Sequence, residues 1–169
     1  MVFLHKGERF GILVAKGVEC MDIRMAARED MDTVAALACR LWPHHTLEEI
    51  LEEHTKLLGD GRNAFFLAWE GGAAAGWAHV FLRRDYVEGT DYSPVGFLEA
   101  IYVEPEYRRQ GVARALLSTC EDWARAQGCR EFASDCELTN EQSQRFHQGV
   151  GFAEANRIVC FVKPLGDRQ

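Results

Sequence analysis

The spacing of hydrophobic residues predicts strands and helices that alternate from Met21 onward. Short apolar runs predict strands at "MDIRMA", "NAFFLAWE" and "AAAGWAHVFL", and the two glycines between the last two runs are typical of a hairpin turn. The longest run, "VGFLEAIYV", predicts a central strand. The later runs "REFASDC" and "RIVCFV" predict two further strands.

Four segments have the apolar spacing of helices. "DMDTVAALACRLW" begins with a cap at Asp30 and ends before Pro43. "TLEEILEEHTKLLG" has Thr46 and Glu49 in a capping box and stops at Gly59. "RQGVARALLSTCEDWARAQG" and "NEQSQRFHQGV" follow later. The order of a strand, two helices, a meander and then helix, strand, helix and strand predicts an α/β fold with a central mixed sheet flanked by helices.

The same pattern predicts where the domain begins. Residues 1–20 contain one short apolar run that a glycine interrupts, and no small-residue cleavage pattern follows closely, so we do not expect a signal peptide. We expect residues 1–20 to be a dispensable extension, residues 21–165 to form the domain and residues 166–169 to be a tail. The alternative is that "GILVA" forms a first strand of the sheet.

Composition and charge exclude several classes of protein. The chain has 169 residues, enough for one domain with its own core. No stretch approaches the roughly 18 apolar residues of a membrane span. The net charge of −7 disfavours nucleic-acid binding, which needs a basic face. The six cysteines form no CxxC pair and have no metal-ligand spacing, which indicates reduced thiols, a cytoplasmic location and no metal site.

One basic stretch, "EPEYRRQGVARALL", contrasts with this acidic composition. Two arginines and a glycine come directly before an apolar helix, and the free NH groups and dipole of a helix N-terminus attract anions. The stretch lacks the Gly-Lys-Ser/Thr of a Walker loop and the three glycines of a dinucleotide fingerprint. By itself the pattern fits a solvated helix start as well as a phosphate site.

Acidic residues are concentrated between Asp85 and Glu106, where six acids occur without a lysine or arginine. Glu99 lies within an apolar strand, where an unpaired carboxylate is costly. Asp135 ends the next predicted strand, and the carboxyl ends of parallel strands line ligand crevices. The two carboxylates therefore predict a site that holds a polyamine and accepts its proton. The acidic run "EEILEE" fits a solvated face equally well.

Two motifs carry a family resemblance. Arg108, Gly111 and Ala113 form an R-x-x-G-x-A pattern that resembles the acetyl-CoA pyrophosphate loop of the GNAT N-acetyltransferases. The segment "NEQSQRFHQGVGF" resembles a second GNAT pattern, N-x-x-A-x-x-L-Y-x-x-x-G-F. The resemblance implies that acetyl-CoA is the co-substrate and that no metal takes part. The residues it assigns to acetyl-CoA are Ile101, Tyr102, Val103, Arg108, Arg109, Gln110, Gly111, Val112, Ala113, Arg114, Asn140 and His147.

The segments "LWPHH", "RRDYVEGTDYSPVGFLEAIYV", "GCREFASD" and "FHQGVGF" are similar to the aminoglycoside 6′-N-acetyltransferases, and the similarity covers residues 21–163. It implies acetylation of the 6′-amine of these antibiotics by direct transfer in a ternary complex, with resistance as the result and a homodimer as the assembly. Trp42 and Tyr86 match residues that wall the antibiotic site. Glu99 and Asp135 match acids that hold its amines, and we expect both to be catalytic.

Three positions depart from the patterns of these families. His147 stands where many GNAT enzymes have a tyrosine, although histidine is common in this subfamily. Phe161 stands where close relatives often have tyrosine, and Asn156 replaces an acid. The departures leave open which group protonates the departing thiolate and which antibiotics are accepted.

Two other functions remain compatible with the sequence. The protein could acetylate another amine, such as a polyamine or a peptide N-terminus, or it could bind acyl-CoA without catalysis. Cys136 could be imagined as a nucleophile, but a buried structural thiol is the favoured interpretation because no His-Asp pair is in register with it.

Overall fold

A computed structural model describes residues 21–166, and this range contains a five-stranded mixed sheet and four α-helices. The strands are β1 (Asp22–Met25), β2 (Asn63–Glu70), β3 (Ala73–Arg83), β4 (Val95–Val103) and β5 (Phe132–Ser134). The α-helices are α1 (Met31–Leu41), α2 (Leu47–Leu58), α3 (Val112–Ala126) and α4 (Glu141–Val150). The predicted α/β class with a mixed sheet is confirmed. The predictions for residues 1–20, including the "GILVA" strand, lie outside the described residues.

The chain divides into two compact units, one ending at Asp135 and the other beginning at Cys136. The first contains the whole sheet and α1 to α3, and the second contains α4. The strand order is β1-β2-β3-β4-β5. Strands β1 to β4 are antiparallel, and β5 pairs parallel to β4. β3 is therefore the middle strand, and the predicted central strand β4 lies beside it with a partner on each side.

Local sequence determines the turn and the helix ends. The predicted hairpin of β2 and β3 is confirmed, and Gly71 and Gly72 have φ values of 56° and 83°, as a tight hairpin turn requires. The capping box of α2 is also confirmed. The Glu49 amide donates to Thr46 Oγ1 at 3.2 Å, and the Thr46 amide donates to Glu49 Oε2 at 2.9 Å.

The predicted cap at Asp30 has a different role in the structure. Asp30 stands at the start of α1, but its side chain makes no cap hydrogen bond to that helix. Its carboxylate instead accepts two hydrogen bonds from the Arg24 guanidinium, at 2.6 and 2.7 Å, and one from the Ala27 amide at 2.9 Å. The pair ties β1 to the beginning of α1.

Clusters of apolar side chains hold the first unit together, and two of them join its helices to the sheet. In one, residues of α1 and α2 pack with residues of β2 and β3; its buried members include Val34, Ala38, Ile50, Phe65 and Trp77. In the other, Leu82, Ala124 and Cys129 are buried, and the partly buried Trp123 of α3 packs against them.

The predicted last strand, "RIVCFV", is wrong for the structure as described. Residues 152–166 have no regular secondary structure. Phe161 is 93% exposed and Val162 is 94% exposed. A strand needs a neighbouring backbone for its hydrogen bonds, and apolar alternation alone does not supply one.

Candidate active site

A cavity of about 570 Å³ opens between α2 and strands β2 to β4. Two residues predicted for the antibiotic site, Trp42 and Glu99, both line it. Trp42 follows α1 directly, and its ring meets the buried Trp77 edge-on with a centroid distance of 5.9 Å. The core cluster therefore fixes one aromatic wall of the cavity.

Glu99 lies at a β-bulge. His79 pairs with Ala100 and Val80 pairs with Leu98, so Glu99 is an extra residue without a partner on β3. The bulge interrupts the buried run of β4 and turns Glu99 toward the cavity, leaving its side chain 41% exposed. Glu99 is therefore not the fully buried, unpaired carboxylate that the apolar sequence around it suggests.

Arg83 is the cation that pairs with Glu99 among the described residues. Arg83 Nη2 lies 3.6 Å from Glu99 Oε2, which is beyond a hydrogen bond, so the attraction is coulombic. The pKa of Glu99 is raised because burial disfavours its charge, and Arg83 partly opposes this. The nearby charges of Asp135 and Glu53 raise the pKa of Glu99 further.

The other two predicted acceptor residues are placed differently. Asp135, just after β5, is exposed but lies close enough for its charge to act on Glu99. Tyr86 is 79% exposed, its hydroxyl donates to Glu88 Oε2 at 2.7 Å, and it does not line the cavity. The structure therefore brings Trp42, Glu99 and Asp135 into one region and leaves Tyr86 apart.

Two buried histidines on the cavity wall were missed by the sequence reasoning. His54 on α2 and His79 on β3 are 4% and 3% exposed, with ring centroids 6.1 Å apart. His79 Nε2 lies 2.8 Å from Asn63 Oδ1, so that nitrogen carries the proton. Burial lowers the pKa of His79 to about 3 and also lowers that of His54. Burial therefore favours the neutral form of both rings, so this part of the cavity wall is polar without adding positive charge.

The loop before α3 has the backbone conformation of an anion site. Arg109 and Gly111 both have positive φ, 62° and 87°, and Gly111 is the residue before the helix. No side chain caps this end of α3, and its first turn contains no acid. The helix dipole is therefore not neutralised by the helix's own residues, which favours an external anion.

Other predicted cofactor residues already make contacts within the protein. Arg108 Nε donates to the Val103 carbonyl at 2.8 Å, and the guanidinium lies 5.6 Å from the Tyr102 ring centroid. Gln110 Nε2 donates to the Glu106 carbonyl at 2.8 Å. Arg108 thus braces the end of β4, and only its remaining NH groups can serve a phosphate.

One edge of β4 is open where the resemblance places the pantetheine arm. β5 pairs with β4 only from Gly96 to Leu98. No described strand pairs with residues 99–103 on that side. An extended ligand can hydrogen-bond to such an edge as an added strand does.

Asn140 and His147 lie in the second unit, on α4. Asn140 Oδ1 accepts from the Ser143 amide at 3.0 Å and caps the helix. His147 Nδ1 lies 2.8 Å from the Ser143 carbonyl, so Nδ1 carries a proton and Nε2 accepts protons in the neutral ring. His147 Nε2 is buried without a hydrogen-bond partner in the described structure.

Three further observations concern metal binding, membrane spans and the Cys136 thiol. Among residues 21–166, no group of three or more His, Cys, Asp or Glu side chains could hold a metal ion. No helix in this range is long and apolar enough to span a bilayer. Cys136 is exposed, so the interpretation as a buried thiol is wrong.

A profile of the Acetyltransferase (GNAT) family matches residues 24–152. The chain belongs to the GNAT family. The match includes the cavity residues and the loop before α3, and the five-stranded mixed sheet is the fold of the GNAT relatives described next.

Relatives of this GNAT chain have more specific names. The chain is 45% identical over 144 residues to an aminoglycoside N(6′)-acetyltransferase type 1 of Stenotrophomonas maltophilia, covering 85% of this chain and 93% of the relative. It resembles the structure of the aminoglycoside N-acetyltransferase AAC(6′)-Iy with CoA, at 39% identity and a TM-score of 0.84, over 89% of this chain and 99% of the other. A structure of AAC(6′)-Iy with the bisubstrate analogue CoA-S-monomethyl-acetylneamine has a TM-score of 0.82 at 39% identity, over 85% and 98% of the two chains.

Proposed function

We propose that the protein transfers the acetyl group of acetyl-CoA to the 6′-amine of aminoglycoside antibiotics and thereby confers resistance. The observation that carries the proposal is that Trp42 and the bulge residue Glu99 line one cavity. The uncapped start of α3 and the positive-φ loop before it, which favour an anion, add a place for the donor phosphates. Relatives that cover most of this chain and are named for the same reaction support the substrate class.

The acceptor side of the mechanism uses the carboxylates. Glu99 attracts the cationic antibiotic and accepts, directly or through water, the proton that the amine must lose. Asp135 adds negative charge beside it. Trp42 packs against the sugar ring, and Tyr86 can reach the antibiotic only if its exposed side chain leaves Glu88.

The donor side uses backbone groups. The positive-φ loop from Arg109 to Arg114 binds the pyrophosphate, and the open edge of β4 at Ile101 to Val103 holds the pantetheine arm. Acetyl-CoA supplies the thioester: the amine nitrogen adds to its carbonyl carbon to give an oxyanion, and the C–S bond then breaks with CoA as the leaving thiolate. Backbone NH groups of β4 stabilise the oxyanion. Asn140 contacts the arm. His147 can protonate the leaving sulfur from Nε2 only as an imidazolium, because its Nδ1–H already donates to the Ser143 carbonyl.

The test is CoA release measured over a set of amines, followed by mass spectrometry of the product. Kanamycin- or tobramycin-type antibiotics should be acetylated at the 6′-amine, while an analogue with a 6′-hydroxyl should not react. Acetylation of other ring amines contradicts the regiochemistry. Turnover of polyamines or peptides alone would favour a different acetyltransferase, and acyl-CoA binding without any turnover would favour a binding protein.

We further infer that the protein is a cytoplasmic homodimer. Apolar side chains exposed in the second unit support self-association; they are Ile158, Val159, Phe161, Val162 and Leu165. Reduced cysteines and the use of acetyl-CoA support the location. In sedimentation experiments the wild-type protein should be a dimer, and Phe161→Asp should dissociate more readily into monomers. A monomeric wild-type protein contradicts the proposed dimer.

A further inference from the structure

Arg83, the last residue of β3, is held by two aromatic rings. Its guanidinium carbon lies 3.4 Å from the centroid of the Phe97 ring and 5.0 Å from that of Phe81. Phe81 and Phe97 are partners across β3 and β4, with ring centroids 5.9 Å apart. Since a guanidinium is attracted to aromatic faces and stacks on them, the two strands fix the direction in which this cation points.

The held guanidinium faces Glu99 across the cavity wall. Both side chains line the cavity and are partly exposed, 33% for Arg83 and 41% for Glu99. Because Glu99 has no partner on β3, the strand pairing does not fix its carboxylate. The ion pair from Glu99 Oε2 to Arg83 leaves Oε1 available to an incoming ammonium group.

Charges from three directions act on Glu99. Arg83 faces it from β3, Asp135 from the end of β5 and Glu53 from α2. The two carboxylates and partial burial raise the pKa of Glu99, and Arg83 lowers it. Five further titratable side chains line the same cavity: His45, His54, Asp60, Arg62 and His79. Burial lowers the pKa of His54 and His79, which disfavours a positive charge on either ring.

We propose that Arg83 is a positioning residue for the acceptor amine. Arg83 keeps the Glu99 carboxylate ionised and oriented on the cavity wall, where it can bind that amine. The inference rests on the proposed function, because that function supplies the cationic substrate that Glu99 binds. Arg83 does not touch the reacting atoms; it acts through Glu99.

The test is the pH dependence of kcat/KM for a 6′-amino aminoglycoside at saturating acetyl-CoA. Arg83→Met removes the charge and keeps an apolar chain over Phe97. The ratio of kcat/KM at about pH 5 to that at about pH 8 should fall by roughly three- to tenfold, because an adjacent opposite charge changes the ionisation of a carboxyl group by about tenfold or more. A simple packing defect would lower activity by the same factor at both pH values.

Matched variants separate the local charge from other effects. Arg84→Met removes the same charge from the next residue, which is exposed and whose charge acts on Cys129, and should leave the ratio unchanged. Arg83→Lys should restore most of the ratio. Melting temperatures check folding, and Arg83→Gln replaces Arg83→Met if the latter does not fold.

The double variant Arg83→Met/Glu99→Gln tests whether Arg83 acts through Glu99. When Glu99 is already replaced, Arg83→Met should no longer change the ratio of kcat/KM between the two pH values, and a change that persists overturns the inference. An unchanged ratio in Arg83→Met, with Glu99→Gln impaired, also overturns it but leaves the proposed function intact. A wild-type protein that releases no CoA with any aminoglycoside contradicts the proposed function itself.

Discussion

At the residue scale, Glu99 has the environment of a working carboxylate rather than of a structural one. It is partly exposed, has a single cationic partner in the described structure, and lies on a cavity wall where burial keeps His79 neutral. A structural carboxylate such as Asp30 is instead nearly covered and is bound by three hydrogen bonds. The difference predicts that replacing Glu99 changes function more than stability.

Glu99→Gln should lower kcat/KM for an aminoglycoside by roughly tenfold. Loss of a charge-assisted hydrogen bond costs about 1.5–3 kcal/mol, and we expect the lower end because solvent screens a partly exposed group. Affinity for acetyl-CoA, measured by titration, should not change. Glu52→Gln, on an exposed residue of α2 paired with Lys56, is the control. Full antibiotic turnover in Glu99→Gln contradicts the proposed role of Glu99.

Arg109→Ala should have the opposite pattern, with weaker acetyl-CoA binding in the same titration.

His79 should make stability depend on pH. Its folded pKa of about 3 lies below the unfolded value of about 6.5, so between these values only the unfolded chain gains the proton. The free energy of unfolding should therefore decrease as pH falls below about 6.5, by up to about 1.4 kcal/mol per pH unit. His54, whose pKa is also lowered, acts in the same direction.

Urea denaturation at several pH values tests this dependence. His79→Gln removes the titrating group and should make the pH dependence less steep, while His44→Gln, on an exposed residue, serves as the control. An equally steep decrease in His79→Gln would show that His79 is not the group responsible.

At the scale of elements, β3 and β4 approach each other closely at Gly76. A Cβ atom there would lie 2.5 Å from the Tyr102 carbonyl oxygen and 3.2 Å from Val103 Cα. Because these are backbone atoms in a paired strand, Gly76→Ala should destabilise the fold by about 1–3 kcal/mol in urea denaturation. Gly61→Ala is the control, since no atom lies within 4 Å of a Cβ at that position. Equal stabilities would contradict the close approach.

Sequence predicted the elements that depend on local patterns. The bounds of β2 and β4 follow from continuous apolar runs, and the capping box of α2 follows from hydrogen bonds between residues three apart. The segment "RIVCFV" has a strand pattern too, but pairing depends on a distant partner, which no local pattern specifies.

The candidate site was predicted only in part, for the same reason. Glu99 was predicted from its place in an apolar strand and Trp42 from the family resemblance, and the structure places both on one cavity. The bulge at Glu99 arises from the register with β3, and the pairing of His54 with His79 joins α2 to a strand. Neither leaves a local pattern in the sequence.

At the scale of the whole molecule, the profile match begins at residue 24, and among the described residues the sheet begins at β1. Deletion of residues 1–20 should therefore leave the melting temperature and the specific activity nearly unchanged. The comparison is between the full chain and a chain that starts at Met21, by thermal denaturation and CoA release. Loss of folding on truncation would show that "GILVA" belongs to the sheet.

The partial pairing of β4 divides one strand into two halves with different protection from solvent. Residues 96–98 have a strand on each side, whereas residues 99–103 have β3 alone in the described structure. Amide deuterium exchange should therefore be slow throughout the first half. In the second half, amides that face away from β3 should exchange quickly in the free protein and slowly once acetyl-CoA is bound. Uniformly slow exchange along β4 in the free protein would show that its open edge is already covered.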